Sequence, residues 1–154
     1  ANAARDAGVT QLVHVSAIGA DVNSPAEYGR SKGLGEAAVL AAVPTATILR
    51  PSTVFGREDQ FINRFAGMIR MTPVVPLVAG TAKFQPVYVG DVASAVRAAL
   101  TDHAAAGRTY ELGGPQILSM EELFRWIARA IGRDPLFAPI PDAVAAGMAR
   151  FTGW

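Results

Sequence analysis

Apolar positions along the chain switch between near-continuous runs and helical spacing, which predicts strands alternating with helices. Gln11 to Ser16 (QLVHVS) is rich in Val and Leu and barely alternates, as a buried parallel strand does. Ser24-Pro25 pairs an N-cap residue with proline at the first helical position, so the next helix is expected to start there and run to about Ala42. Its packing stripe is expected at Leu34, Ala38, Ala41 and Ala42, with Tyr28, Lys32 and Glu36 on another face. Gly29, Gly33 and Gly35 lower its helix propensity and point to close approach by a neighbour or a ligand. Thr45 to Leu49 reads as a second buried strand, ending in Arg50-Pro51-Ser52. Gly56-Arg57-Glu58-Asp59 then leads into a helix with Phe61 or Ile62, Phe65, Met68 and Ile69 at helical spacing.

Beyond Met71 the pattern is punctuated by proline and glycine, and short extended pieces are expected up to Asp91. Asp91 is expected to cap a helix whose stripe is Val92, Ala95, Val96, Ala99 and Leu100. Arg108 to Leu112 is a third strand, closed by Gly113-Gly114-Pro115. Ser119 and Glu122 have the spacing of a capping box, opening a helix with Leu123, Ile127, Ala130 and Ile131 inside and Gly132 at its end. Residues 1–8 read as the last turns of a helix stopped by Gly8. Pro139 to Trp154 is an apolar, proline-led stretch with a short helix, suited to a fold-internal contact or to a membrane surface or partner.

Composition narrows the class. A length of 154 residues suits one domain with a real core. Lys and Arg total 14 against 13 Asp and Glu, without runs of like charge, so no nucleic-acid surface is expected. Cysteine is absent, which removes disulfides, thiolate nucleophiles and zinc–thiolate sites. His14 lies within the first strand and is read as a satisfied core residue; His103 is read as solvated. The longest uncharged stretch, Ala37 to Leu49, is too short to span a bilayer and is broken by Pro44.

The chemistry gathers between Leu12 and Glu36. Tyr28 and Lys32 are four residues apart in a helix and so share one face, with Ser16 upstream at a strand's carboxyl end. A free phenol titrates near ~10, and a cation fixed beside it favours the phenolate. A tyrosine, lysine and serine so placed form a proton-transfer constellation, in which the serine hydroxyl holds a carbonyl or alcohol and the lysine reaches ribose hydroxyls. These residues resemble the catalytic serine, tyrosine and lysine of the short-chain dehydrogenase/reductase superfamily. The tracts RPSTVFGREDQFINRFA (Arg50 to Ala66) and FQPVYVGDVASAV (Phe84 to Val96) resemble its extended or atypical branch. Within that branch they are most similar to the NAD(P)H-binding accessory subunits of respiratory complex I and their bacterial relatives.

The resemblance implies an α/β fold: a Rossmann-like parallel sheet with flanking helices, of which only the later strands are present, plus part of a small C-terminal substrate lobe. Residues 1–70 would then be the second half of an NAD(P)-binding domain, and 71–154 a crossover, the last Rossmann strand and the partial lobe. The glycine-rich first β–α turn that seats a pyrophosphate would lie upstream, since no G-x-G-x-x-G occurs in the sequence. It implies NADP(H) or NAD(H), held by Tyr28, Lys32, Pro51, Ser52, Thr53 and Val54, with Arg57 and Asn63 as weaker candidates toward a substrate or a cofactor phosphate. Asp91 is read as a cap before a catalytic acid.

Three functional expectations follow. The first is an accessory or assembly subunit of complex I that binds the dinucleotide structurally. The second is an active reductase, epimerase or dehydratase acting on a sugar nucleotide or similar carbonyl. The third is a sensor of dinucleotide redox state without turnover. Expected partners are the dinucleotide and complex I subunits, with a peripheral membrane contact, and with self-association of a truncated chain whose strand at 11–16 lacks an inner neighbour. Expected locations are the bacterial cytoplasm, the cytoplasmic face of the inner membrane, or the mitochondrial matrix side.

Overall fold

A computed structural model describes residues 1–78 and 82–140. In chain order it contains α1 (Asn2–Asp6), β1 (Val13–Val15), α2 (Glu27–Ala42), β2 (Thr47–Pro51), β3 (Val54–Phe55), α3 (Ile62–Met71), β4 (Val74–Leu77), β5 (Lys83–Phe84), β6 (Val87–Tyr88), α4 (Val89–Thr101), a 3₁₀ turn at His103–Ala105, β7 (Thr109–Leu112), β8 (Leu118–Ser119), α5 (Met120–Ala130) and β9 (Leu136–Pro139). The chain divides into two units, one of residues 1–56 and 86–115, the other of 57–85 and 116–154.

The first unit is built on a parallel three-stranded sheet in the order β1-β2-β7. Val13 pairs with Thr47, and Ile48 with Thr109. Ile48 and Leu49, in the middle strand, are fully buried. Ala42, Val43 and Ala46 extend this core toward Leu12, Val39 and Leu40. Thr47 is buried without cost because its hydroxyl donates to Ala105 O at 2.8 Å. A second parallel pair, β3 with β6, brings the Phe55 and Tyr88 rings to 5.8 Å. This is the α/β architecture with a parallel sheet and flanking helices that the sequence implied.

Several local expectations need correction. The N-cap of α2 is Ala26, without a side-chain bond, where Ser24 was expected. Ser24 instead belongs to the preceding turn, where its amide donates to Asp21 O and its carbonyl accepts from Arg30. The buried face of α2 is Gly29, Gly33, Glu36 and Ala42, while Leu34 is 56% exposed and Ala38 and Ala41 are exposed. The glycines explain the inversion. A Cβ on Gly33 would lie 2.4 Å from the backbone of Asp21 and Val22, and one on Gly29 would lie 2.9 Å from Gly19 O. Backbone therefore packs directly on backbone along this face, and the Asp21 amide donates to Gly29 O at 3.1 Å. Likewise α4 starts at Val89 with Tyr88 as N-cap, so Asp91 sits inside the first turn, where its charge complements the helix dipole. Val92 and Ala99 of its expected stripe are buried, whereas Leu100 is exposed.

The second unit packs α3 and α5 together, with β4 parallel to β9 and β5 antiparallel to β8. Ile69, Val75, Leu123 and Ile127 form its buried centre. A row of rings runs through it, Phe61–Phe65 at 4.9 Å, Phe65–Phe124 at 4.7 Å and Phe124–Phe137 at 6.4 Å. The capping box is present in both directions: the Glu122 amide donates to Ser119 Oγ at 3.1 Å, and the Ser119 amide donates to a Glu122 carboxylate oxygen at 2.7 Å. These bonds hold the Glu122 carboxyl below its ordinary pKa. Gly132 ends the helix at φ +67, as Gly8 ends α1 at φ +69. The expected apolar helix at the chain's end lies outside the described residues from position 141 onward.

Candidate functional site

Three segments of the first unit supply the site: the end of β1, helix α2 and the end of β2. On α2, the i, i+4 spacing brings Tyr28 and Lys32 together, with Lys32 Nζ 5.6 Å from the centre of the phenol ring. Tyr28 is 63% exposed and Lys32 is half-buried, without a carboxylate partner among the described residues. The phenol is therefore exposed to solvent, with the ammonium of the half-buried lysine beside its ring.

Ser16 behaves differently. It is only 4% exposed, and its Oγ has no hydrogen bond of good geometry. It lies near enough to the Glu36 carboxylate to favour the charged form there. Beneath α2, Arg50 grips Glu36 with a two-pronged bond, Nε to Oε1 at 2.9 Å and Nη2 to Oε2 at 2.7 Å. Arg50 Nη1 also lies 3.9 Å from Glu111 on β7. The Arg50 bond, followed by smaller contributions from Ser16 and His14, holds the Glu36 carboxyl below its ordinary range against the opposing effect of burial. The same pairing raises Arg50. His14 is a correction: the residue is half-buried and its enclosed Nε2 has no hydrogen-bond partner, where a satisfied core histidine was expected. His103 is exposed, as expected, and its Nδ1 meets Gln11 Nε2 at 3.2 Å.

At the end of β2, Pro51 is buried and its carbonyl accepts from the Ile18 amide at 3.1 Å. The Ser52 amide donates to Leu112 O at 2.9 Å, and Thr53 O accepts from the Val87 amide at 3.0 Å. Val54 pairs with Val87 in β3–β6. These bonds fix the path of residues 51–54, and the side chains of Ser52, Thr53 and Val54 stay half-buried. Arg57 and Asn63 belong to the second unit, and both are exposed. The Asn63 amide is engaged locally, donating to Arg57 O at 3.1 Å and Asp59 O at 3.0 Å. Asp59 in turn accepts from the Ile62 amide at 2.6 Å and secures the start of α3.

Sequence reasoning singled out Tyr28 and Lys32, and placed Glu36 on their helix without a partner. The Arg50–Glu36 bond was not legible, because a strand arginine and a helix glutamate 14 positions apart carry no periodic signal. No group of three or more His, Cys, Asp or Glu that would hold a metal occurs among the described residues. No glycine-rich turn of the kind that seats a pyrophosphate is in the sequence.

Comparison with known proteins identifies the family of the chain. Residues 19–150 match the model of the RmlD substrate binding domain. The chain is 42% identical over 144 residues to the mitochondrial NADH dehydrogenase (ubiquinone) 1 alpha subcomplex subunit 9 of Arabidopsis thaliana, covering 92% of this chain and 36% of that protein. It is 37% identical to the subunit of the same name in Rattus norvegicus, covering 99% and 41%. It is 30% identical to the ceramide reductase of Caulobacter vibrioides, covering 92% and 44%. The chain thus spans less than half the length of these relatives. Among solved structures, a dTDP-4-dehydrorhamnose reductase from Clostridium acetobutylicum shares the fold with a TM-score of 0.79 at 21% identity, covering 90% of this chain and 53% of that one. A UDP-glucose 4-epimerase of Thermus thermophilus, in complex with NAD, reaches a TM-score of 0.68 at 26% identity, covering 89% and 54%.

Proposed function

This chain belongs to the RmlD substrate binding domain family, of short-chain dehydrogenase/reductase type, and from that premise we propose that it is part of an NAD(P)H-binding accessory or assembly subunit of NADH:ubiquinone oxidoreductase. The observation that carries this reading is the 42% identity, sustained across 92% of the chain, with the plant alpha-subcomplex subunit. The geometry supports it. Tyr28 and Lys32 face outward and can bind the ribose hydroxyls of a dinucleotide, with residues 51–54 beside its nicotinamide. Ser16, which an enzyme of this type would use to hold a substrate oxygen, is buried against Glu36. The protein would then work at the face of the inner membrane that meets the cytoplasm in bacteria or the matrix in mitochondria. No helix among the described residues is long and apolar enough to cross a membrane.

The decisive experiment is native-gel migration of the tagged full-length protein from gently solubilised membranes, stained for NADH dehydrogenase activity. Co-migration with the large active complex is expected. Migration solely as a small soluble species would overturn the proposal.

Two observations favour a second reading, an active reductase: the exposed phenol with an ammonium beside it is intact, and one relative is a ceramide reductase. A bound dinucleotide would supply the hydride, Tyr28 would move the proton at its phenolic oxygen, and Lys32 would hold the ribose. Tyr28→Phe separates the two. It should abolish turnover in an enzyme, and leave nucleotide affinity and complex assembly nearly unchanged in a structural subunit.

A further inference from the structure

Arg50 and Glu36 form a two-pronged ion pair in the first unit, and neither functional reading gives it a role. A buried ion pair is a poor device for stability alone, because well-packed apolar residues of similar volume often hold a fold as well or better. It is a good device for geometry. The planar guanidinium meets both carboxylate oxygens at once, at 2.9 and 2.7 Å, and so fixes distance and orientation together.

Its placement shows what is being fixed. Glu36 stands one helical turn beyond Lys32 on α2, and Arg50 immediately precedes Pro51 on β2. The bond therefore ties the helix that presents the phenol and ammonium to the strand end that leads into residues 51–54. The apolar contacts of α2 lie beyond Glu36, where Val39, Leu40 and Ala42 join the core, and the buried positions before it are Gly29 and Gly33. Two further groups converge on the same carboxylate. His14 and Ser16, on and just beyond β1, both favour its charged form, and each carries a buried polar atom without a hydrogen bond. Glu111 of β7 stands on the far side of Arg50.

We propose that Glu36 and Arg50 are positioning residues for the nicotinamide–ribose end of a dinucleotide, setting the spacing between the Tyr28–Lys32 face and the segment Pro51–Val54. The inference rests on the dinucleotide-binding reading above. It concerns the nicotinamide end alone, since the pair joins the helix of Tyr28 and Lys32 to the strand end before residues 51–54.

That asymmetry supplies the test. Calorimetric titration of the full-length protein would compare the intact dinucleotides NADPH and NADH with 2′-phospho-ADP-ribose and ADP-ribose, which lack the nicotinamide. Glu36→Gln should weaken the preferred dinucleotide by about tenfold, the scale of one lost charge-assisted bond, and leave its nicotinamide-free counterpart within about twofold. Arg50→Lys keeps the charge, loses the two-pronged geometry and should show the same imbalance to a smaller degree. It also carries the test if the Glu36 variant does not fold. Equal weakening of both ligands, or no change in either, overturns the positioning role. A wild-type protein that binds none of the four overturns the dinucleotide reading itself.

Discussion

Charge removal at Glu36 should cost stability at neutral pH, and the cost should vanish in acid. The Glu36 side chain is 9% exposed and holds Arg50, 26% exposed, by two short charge-assisted bonds. Breaking a fully buried pair costs about 3–5 kcal/mol. Here water reaches part of the guanidinium, and the amide of Glu36→Gln still offers one acceptor, so about 2 kcal/mol is expected, within the range for hydrogen bonds to charged groups. For a chain of this length that corresponds to a fall in Tm of roughly 4–8 °C. The pH dependence follows from the direction of the shift. Glu36 is held below its ordinary value of 4.5, so its contribution is fully present above that value and is lost as the pH falls through the lowered folded value. Urea titrations of wild type and Glu36→Gln at a series of pH values should show curves separated at pH 7 that converge in acid. Coincident midpoints at pH 7, or a separation that persists unchanged at the acid end, would refute the reasoning.

The glycines of the helices should respond oppositely to alanine. Gly33→Ala forces a Cβ to within 2.4 Å of the Asp21–Val22 backbone and should destabilise by about 1–3 kcal/mol in chemical denaturation, despite alanine's better helix propensity. Gly67→Ala in α3 meets nothing within 4 Å and should stabilise by roughly 0.5–1 kcal/mol. Leu123→Ala, at a fully buried position, should cost about 2–5 kcal/mol, whereas Leu34→Ala on the open face of α2 should shift the urea midpoint by an equivalent of less than about 0.5 kcal/mol.

Local signals were legible where one short segment decides the outcome. The Ser119–Glu122 spacing gave a capping box that forms in both directions, and the Val- and Leu-rich run at 11–16 and the uncharged run at 45–49 gave strands β1 and β2. The Tyr28–Lys32 spacing gave a pair that meets on one helix face. Legibility failed where a distant segment decides. Counting apolar positions put Leu34, Ala38 and Ala41 inside, but the close approach of residues 19–22 to the glycines turned that helix over. The same approach moved the helix start past Ser24. Nothing in the sequence near His14 shows that its outer ring nitrogen will be enclosed without a partner, because its surroundings are assembled from separate segments.

The parallel pairing of β2 with β7 has a consequence during synthesis. More than fifty residues separate Pro51 from Thr109, and β4 waits for β9 across a similar gap. At roughly 5–20 residues per second on the ribosome, β2 stands without its second neighbour for about 3–12 s after it is made. During that interval Ile48 and Leu49, later sealed, belong to an open strand edge of the kind that recruits other chains. Each unit is completed by a segment translated after part of the other, so neither can finish folding before the ribosome has moved well past it. A nascent-chain chaperone that shields residues 47–51 until Thr109 emerges would be expected to raise the yield of folded protein, and slowed translation between them to lower it.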